Sequence, residues 1–410
     1  MDEIGIIKVS ILALCIVLPI LSLFFFRNKR KEIVLVLFSF TFSIFIVEVF
    51  VQLYYPLKME HNQMFEYDPY LGWRFISNKR GGMVYPKEAR HYIKTNSLGF
   101  RDNSPPEDMD NHKKVLVIGD SFVSNIAVKD SEVFTEVMER QLKNTAVLNF
   151  GVPGYGQVQQ YLLLKKWLDK INPDLIILVI YVRNDFCDNV GGFWLHPRPN
   201  ASWDEESSNL KINPPPPPQP RLAKESTDVP FWKFYNKSRL NGFLNERLNI
   251  LISKYSKAEQ SEHKPSLWKA PEFYLCHIPL SRNTKLKYRV MEALLMKIAD
   301  YVGEREVPLV FALVPSIVQV EDKLWLKTIL DKSEEPENYK RSLPNNKLMQ
   351  FAENNNLLMI DLLPILQSKS NNEKPCYNRT EQHWNAEGNR VVAHTLMDYL
   401  KTEKLFKYIQ

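Results

Sequence analysis

VLVIGDSFVSN, residues 115–125, decides the fold. Four apolar residues run without a break into Gly119, Asp120 and Ser121. A continuous apolar run, as opposed to an alternating one, is the pattern of a strand covered on both faces, as in a parallel sheet. The serine after it has two readings. It can cap the helix that follows the strand, a common use of serine, or it can be a nucleophile displayed at the end of the sheet.

Working outward, the same pattern recurs at KVLVIG (114–119), AVLNFG (146–151), LIILVIY (175–181), VPLVFALVP (307–315) and LLMIDLLP (357–364), with amphipathic helical stretches at 132–143, 157–169 and 285–302. Such alternation predicts a doubly wound α/β domain, a flavodoxin-like three-layer αβα sandwich on a central parallel five-stranded sheet. Residues 114–410 form this domain. An interruption at about 191–281 carries the proline run 214–218, which cannot join a ladder and reads as a surface excursion. Residues 57–113 read as a linking segment of turns and short strands.

Ligands of an open parallel sheet bind beyond the carboxyl ends of its strands. Beyond the first strand stands Ser121, beyond the second Gly151–Gly156 with Gly154 between, beyond the third Arg183-Asn184-Asp185, and after the fifth Glu381-Gln382-His383-Trp384-Asn385. These are the parts acyl transfer needs. A serine hydroxyl attacks only when a base takes its proton, and imidazole suits that task. The oxyanion that forms is stabilised by fixed N–H donors. The backbone amides of Ser121 and Gly154 and the side-chain amide of Asn184 can supply them. Taken singly, each block also has a structural reading: Asn184-Asp185 as a turn, the glycines as a plain loop, and Asn385 as the cap of the last helix.

The order Gly-Asp-Ser, glycine, Asn-Asp and carboxyl-terminal histidine resembles the SGNH hydrolases, also called GDSL esterases, over about residues 114–400 outside the interruption. YDPYLGWRF and TNSLGFRD, residues 67–75 and 95–102, resemble the upstream part of membrane-anchored members. The resemblance implies Ser121 as nucleophile, His383 as base, and Ser121, Gly154 and Asn184 as the oxyanion hole. The family usually has an acidic residue, most often aspartate, two or three positions before the histidine. Here Thr380 and Glu381 stand there, so Glu381 is the only candidate for the third member. No cofactor or metal is implied. Anchored relatives often act on O-acetyl groups of cell-surface polysaccharide, which implies an acylated glycan or other ester as substrate and, for a transferase, an acyl-donor partner in the membrane. The rival reading is a catalytically inactive SGNH-fold module that binds or assembles within a surface-polymer export complex.

The amino terminus departs from the rest of the 410 residues, which are 45% hydrophobic and 24% charged. Ile4 to Phe26 and Glu32 to Tyr55 are each long and apolar enough to span a bilayer, and Arg-Asn-Lys-Arg-Lys lies between them. A basic connector stays in the cytoplasm. Residues 1–56 are therefore expected to be a two-span anchor in the cytoplasmic membrane, with the catalytic domain outside. A cleaved signal peptide fits less well, because the start is acidic and a second apolar run follows. The net charge of +6 is scattered and not gathered into stripes with aromatics, so no nucleic-acid site is expected. Of four cysteines, Cys187, Cys276 and Cys376 lie in the exported part, where at most one disulfide could form.

Overall fold

A computed structural model describes residues 27–54, 64–83, 91–102, 112–191, 197–216, 272–332, 335–372, 374–379 and 382–409. The chain divides into two units, residues 58–220 with 262–410, and residues 1–57 with 221–261.

In the larger unit, β1 (Phe65–Asp68) and β2 (Gly72–Phe75) form an antiparallel pair, as do β3 (Arg80–Met83) and β4 (His91–Lys94). The central strands are β5 (Lys113–Gly119), β6 (Thr145–Gly151) and β7 (Leu175–Tyr181). After the hairpin β8 (Asn200–Asp204) and β9 (Asn209–Asn213) come β10 (Leu309–Val314) and β11 (Leu358–Asp361). Five strands make one parallel sheet in the order β11-β10-β7-β5-β6. Numbered by their sequence among the five, this is the 2-1-3-4-5 order of flavodoxin-like sheets, in which the chain winds one way from the first strand and then the other. The crevice lies where the winding reverses, between β5 and β7.

Alternate side chains of each strand enter opposite cores. Leu116, Ile118, Leu148, Phe150, Ile176 and Leu178 pack beneath helices Gln157–Ile171, Arg282–Gly303 and Leu343–Asn354. Val115, Val117, Val147, Ile177 and Val179 pack beneath Phe134–Glu139, Leu363–Asn372 and Ala386–Thr402. Burial on both faces is why these strands read as continuous apolar runs.

Two boundaries differ from the sequence pattern. The run at 357–364 is not one strand: β11 ends at Asp361, whose Oδ1 accepts from the Leu363 N–H at 2.9 Å and opens the helix Leu363–Asn372. The helical stretch at 132–143 is α-helical only over Phe134–Glu139, after a 3-10 turn at Asp130–Glu132. Described residues of the segment 57–113, expected as a linker, pack onto the sheet domain: Phe100 stacks on Phe150 with centroids 3.8 Å apart, and Asp102 Oδ2 accepts from the Asn149 N–H at 2.8 Å. Cys187, Cys276 and Cys376 are all free thiols.

In the smaller unit the described part is the turn Arg27–Lys29 and the 25-residue helix Arg30–Tyr54, on which Val34, Leu35, Val36, Phe38, Phe45 and Phe50 are exposed. The second expected span, 32–55, falls on this helix, and the first, 4–26, lies outside the described residues. Counted over the positions whose side chains are described, no helix is long and apolar enough to cross a membrane.

One close approach in the sheet domain is at Gly151, the last residue of β6. A Cβ there would stand 2.3 Å from the Ser124 nitrogen and 2.6 Å from Val123 Cβ. The helix that carries Ser121 therefore rests on bare backbone. Gly151→Ala should destabilise the domain by about 1–3 kcal/mol, the usual cost of overpacking, measured as a lower urea midpoint. A parent-like midpoint would mean that the helix and β6 separate freely.

Candidate active site

Ser121 opens the short helix Ser121–Ser124 directly beyond β5. It is not the cap. The Asp120 carboxylate takes that role, its Oδ1 accepting from the Phe122 N–H at 2.8 Å. Ser121 is thus relieved of the structural duty that the sequence left open for it, and its hydroxyl turns to His383, whose Nε2 lies 2.8 Å from Oγ. Asp120 Oδ2 is 3.4 Å from the same hydroxyl. One hydroxyl proton serves one good bond, and 2.8 Å is near optimal where 3.4 Å is marginal.

His383 is delivered by a loop closed on itself. The Asn378 N–H donates to the His383 carbonyl at 2.8 Å and the Gln382 N–H to the Asn378 carbonyl at 2.8 Å, with Gln382 at φ 65°. Tyr377 and Trp384 form an antiparallel bridge across the loop. Asn385 then caps the helix Ala386–Thr402, its Oδ1 accepting from the Gly388 N–H at 2.9 Å. A side chain absent from the sequence reading joins this loop to the serine: Asn125, at the end of the serine helix, donates its amide to the Trp384 carbonyl at 3.2 Å. Phe122, fully buried, lies against Tyr181, His383 and Trp384 with centroids 4.2, 4.9 and 4.8 Å apart. Thr380 and Glu381 lie outside the described residues.

From the other side Arg101 holds the serine helix. Its guanidinium, buried, donates to the carbonyls of Ser124 (3.0 Å), Asn125 and Val128 (2.7 Å), and pairs with Asp130 at 2.6 Å. The motif NSLGFRD shapes this arm: Asn96 Oδ1 accepts from the Leu98 and Phe100 N–H groups, each at 3.0 Å.

Gly154 lies in the loop after β6 at φ 80°, a left-handed conformation that glycine adopts without steric cost. Asn184 precedes the helix Asp185–Asp188 beyond β7, and its Nδ2 donates to Asp188 Oδ2 at 2.6 Å. Asp188 in turn pairs with Arg198 at 2.7 Å, both side chains buried. Removing one partner of a buried pair typically costs about 3–5 kcal/mol, because the other charge is left uncompensated. The glycine loop and the Asn184 helix are also tied directly, through Gln157 Nε2 to Asp185 Oδ2 at 2.6 Å and Asn189 Nδ2 to Gln157 Oε1 at 2.7 Å. Arg183, beside Asn184, pairs with fully buried Glu272 at 3.6 Å. Two residues of the 191–281 interruption, Arg198 and Glu272, thus pair with Asp188 and Arg183 on either side of Asn184 in the sequence. Cys187 Sγ accepts from Lys287 Nζ at 3.3 Å and takes no part in the serine–histidine contact. Among the described residues no group of His, Cys, Asp and Glu could hold a metal ion.

Burial pushes the Asp120 carboxyl up to about 7; the Phe122 N–H opposes the rise and the nearby charge of Asp188 adds to it. Asp185 is raised by burial and by the charge of Asp120. Between the ordinary value of 3.8 and about 7 the folded protein keeps a proton on Asp120 that the unfolded chain has lost. This contribution to stability is full below the lower value and fades as pH rises through the higher one. Asp120→Asn keeps an acceptor for the Phe122 N–H and removes the titration. Chemical denaturation across pH 4 to 7 should therefore show a shallower decline in stability for the variant. Parallel curves would show that Asp120 is ionised throughout.

Residues 277–410 match the family model described as "SGNH hydrolase-like domain, acetyltransferase AlgX". The match takes in His383 and stops short of Ser121, Gly154 and Asn184. No curated protein matches the chain. Among solved structures, a lipolytic protein of the G-D-S-L family from Veillonella parvula is 13% identical, with 70% of this chain and 97% of that one covered, at a TM-score of 0.34. The acetyl xylan esterase AlAXEase is 14% identical over 70% and 98%, at 0.36. The lipase/acylhydrolase from Enterococcus faecalis is 11% identical over 71% and 96%, at 0.34. At TM-scores this low the likenesses decide nothing. Residues 277–410 thus match an SGNH hydrolase-like domain, and upstream of the match the Gly-Asp-Ser turn meets its histidine across a 2-1-3-4-5 sheet.

Proposed function

We propose that the protein is a membrane-anchored serine esterase or O-acyltransferase, facing outside the cytoplasmic membrane and acting on O-acetyl groups of a cell-surface polysaccharide. The observation that carries acyl transfer is the 2.8 Å contact between Ser121 Oγ and His383 Nε2. The acetyl group is supported by the family model, whose description names an acetyltransferase. The anchor rests on the two apolar runs 4–26 and 32–55 with the basic connector between them.

In this reading His383 Nε2 takes the Ser121 proton as Oγ bonds to the ester carbonyl carbon. Negative charge gathers on the carbonyl oxygen and is met by the Ser121 and Gly154 amides and Asn184 Nδ2. As the carbon–oxygen bond to the alcohol breaks, His383 returns the proton to the leaving oxygen and an acyl-Ser121 remains. Water then releases acetate, or a sugar hydroxyl takes the acetyl group. Glu381 is the proposed partner of the far imidazole nitrogen, fixing its tautomer.

The purified protein should hydrolyse an aryl acetate and be labelled at Ser121 by a fluorophosphonate. Ser121→Ala and His383→Ala should abolish both, and Asn184→Ala should lower turnover by about a hundred- to a thousandfold. An unlabelled parent would favour the inactive binding module. Glu381→Gln should cost up to about ten-thousandfold in a triad and little in a Ser-His dyad. For the anchor, a reporter fused after Gln410 should behave as extracytoplasmic, and a cysteine beside Lys29 should be shielded from impermeant thiol reagents in intact cells. Labelling of that connector from outside would overturn the orientation.

A further inference from the structure

We infer that Arg198 is a positioning residue for acyl transfer, a post on which the Asn184 amide and the Gly154 loop are both set. The inference rests on the acyl-transfer reading above. One arm runs from Arg198 Nη1 to Asp188 Oδ1 at 2.7 Å and from Asp188 Oδ2 to Asn184 Nδ2 at 2.6 Å. The two carboxylate oxygens thus face the two partners, so the carboxylate links the guanidinium to the Asn184 amide. The other arm runs through the face of Trp73, whose ring centroid is 5.0 Å from the Arg198 guanidinium carbon. The indole N–H of Trp73 donates to the Pro153 carbonyl at 3.1 Å, and Pro153 directly precedes Gly154. The Tyr155 hydroxyl donates to the Trp73 carbonyl and holds the same loop on its other side.

The chain geometry brings these parts together on purpose-built backbone. Gly72, at φ 88°, sits so close to Pro197 that a Cβ would stand 2.2 Å from its carbonyl oxygen. The turn between β1 and β2 is therefore clamped on the residue before Arg198. The Leu71-Gly72-Trp73 stretch, which the sequence shows without a purpose, thus grips Arg198 from above while Asp188 grips it from below.

The charge of Arg198 has a second consequence. Asp188 touches a donor meant for a developing oxyanion, and a bare carboxylate there would oppose that negative charge. The buried guanidinium cancels it. Arginine suits the place better than lysine, because a planar guanidinium stacks on an indole while it pairs with a carboxylate, and an ammonium does not.

The test is the rate at which a fluorophosphonate labels the full-length protein. Ser121 Oγ bonds to phosphorus, fluoride leaves, His383 takes the hydroxyl proton, and the phosphonyl oxygen sits where the oxyanion would. Arg198→Met should slow labelling by about tenfold or more, a part of what losing a whole donor costs. Arg198→Lys should recover some of the rate by restoring charge. The pH of half-maximal rate, set by His383, should not move in either variant. In an Asn184→Ala background Arg198→Met should cost less by about threefold or more, since one of the two groups it sets is gone. Trp73→Phe keeps a ring under the guanidinium and deletes the bond to Pro153; it should slow labelling by the same factor with or without Asn184. If Arg198→Met does not fold, Arg198→Lys and Trp73→Phe carry the test. Parent-like labelling in the folded variants, or an equal cost of Arg198→Met in both backgrounds, overturns the positioning role while Ser121 labelling stands. Labelling that survives Ser121→Ala overturns the acyl-transfer reading and this inference with it.

Discussion

The hydrogen bond between Ser121 and His383 joins residues 262 positions apart, and the rest of the domain is arranged to make it. Two side chains so distant meet at 2.8 Å only if the backbone beneath each is fixed independently. On the serine side that is done by Asp120 as helix cap, by Arg101 on three carbonyls and by the absence of a side chain at Gly151. On the histidine side it is done by the Asn378–His383 backbone bond, the Tyr377–Trp384 bridge and the cap at Asn385. Phe122 and Asn125 then lock the two sides together through Trp384.

The buried carboxylates follow from the same constraint. A sheet that ends in a crevice leaves backbone N–H groups at its carboxyl edge, and Asp120, Asp185 and Asp188 satisfy or orient polar groups there. Three acids so near one another cannot all remain ionised without cost. The structure answers in two ways, by holding Asp120 and Asp185 toward the neutral form and by placing Arg198 against Asp188. Negative charge beside the proposed oxyanion hole is thereby reduced, which favours a transition state that gains negative charge.

The segments outside the central sheet share in this. β1, β2 and the Asn96–Asp102 stretch are built from motifs that look like linkers, yet they supply Trp73, Arg101 and Asp102. The same holds for the interruption after β7, which supplies Arg198 and Glu272. Scaffold residues of this kind carry no local signature, because their partners lie tens or hundreds of positions away.

The sequence by itself determined the strands, their parallel arrangement and the candidates at their ends. Burial on both faces writes itself into the chain as unbroken apolar runs, and a nucleophile, glycines, a carboxamide and a histidine stand just beyond them. It did not determine where β11 stops, because Asp361 turns an apolar run into a helix through one side-chain bond. Only the tertiary structure decided that Asp120 and not Ser121 caps the helix, leaving the serine hydroxyl for His383. It alone also set Asn125, Arg101, Asp188 and Arg198 in place. The physical reason is range: backbone pattern is a property of neighbours in sequence, whereas buried polar groups find their partners only once the sheet has brought distant loops to one edge.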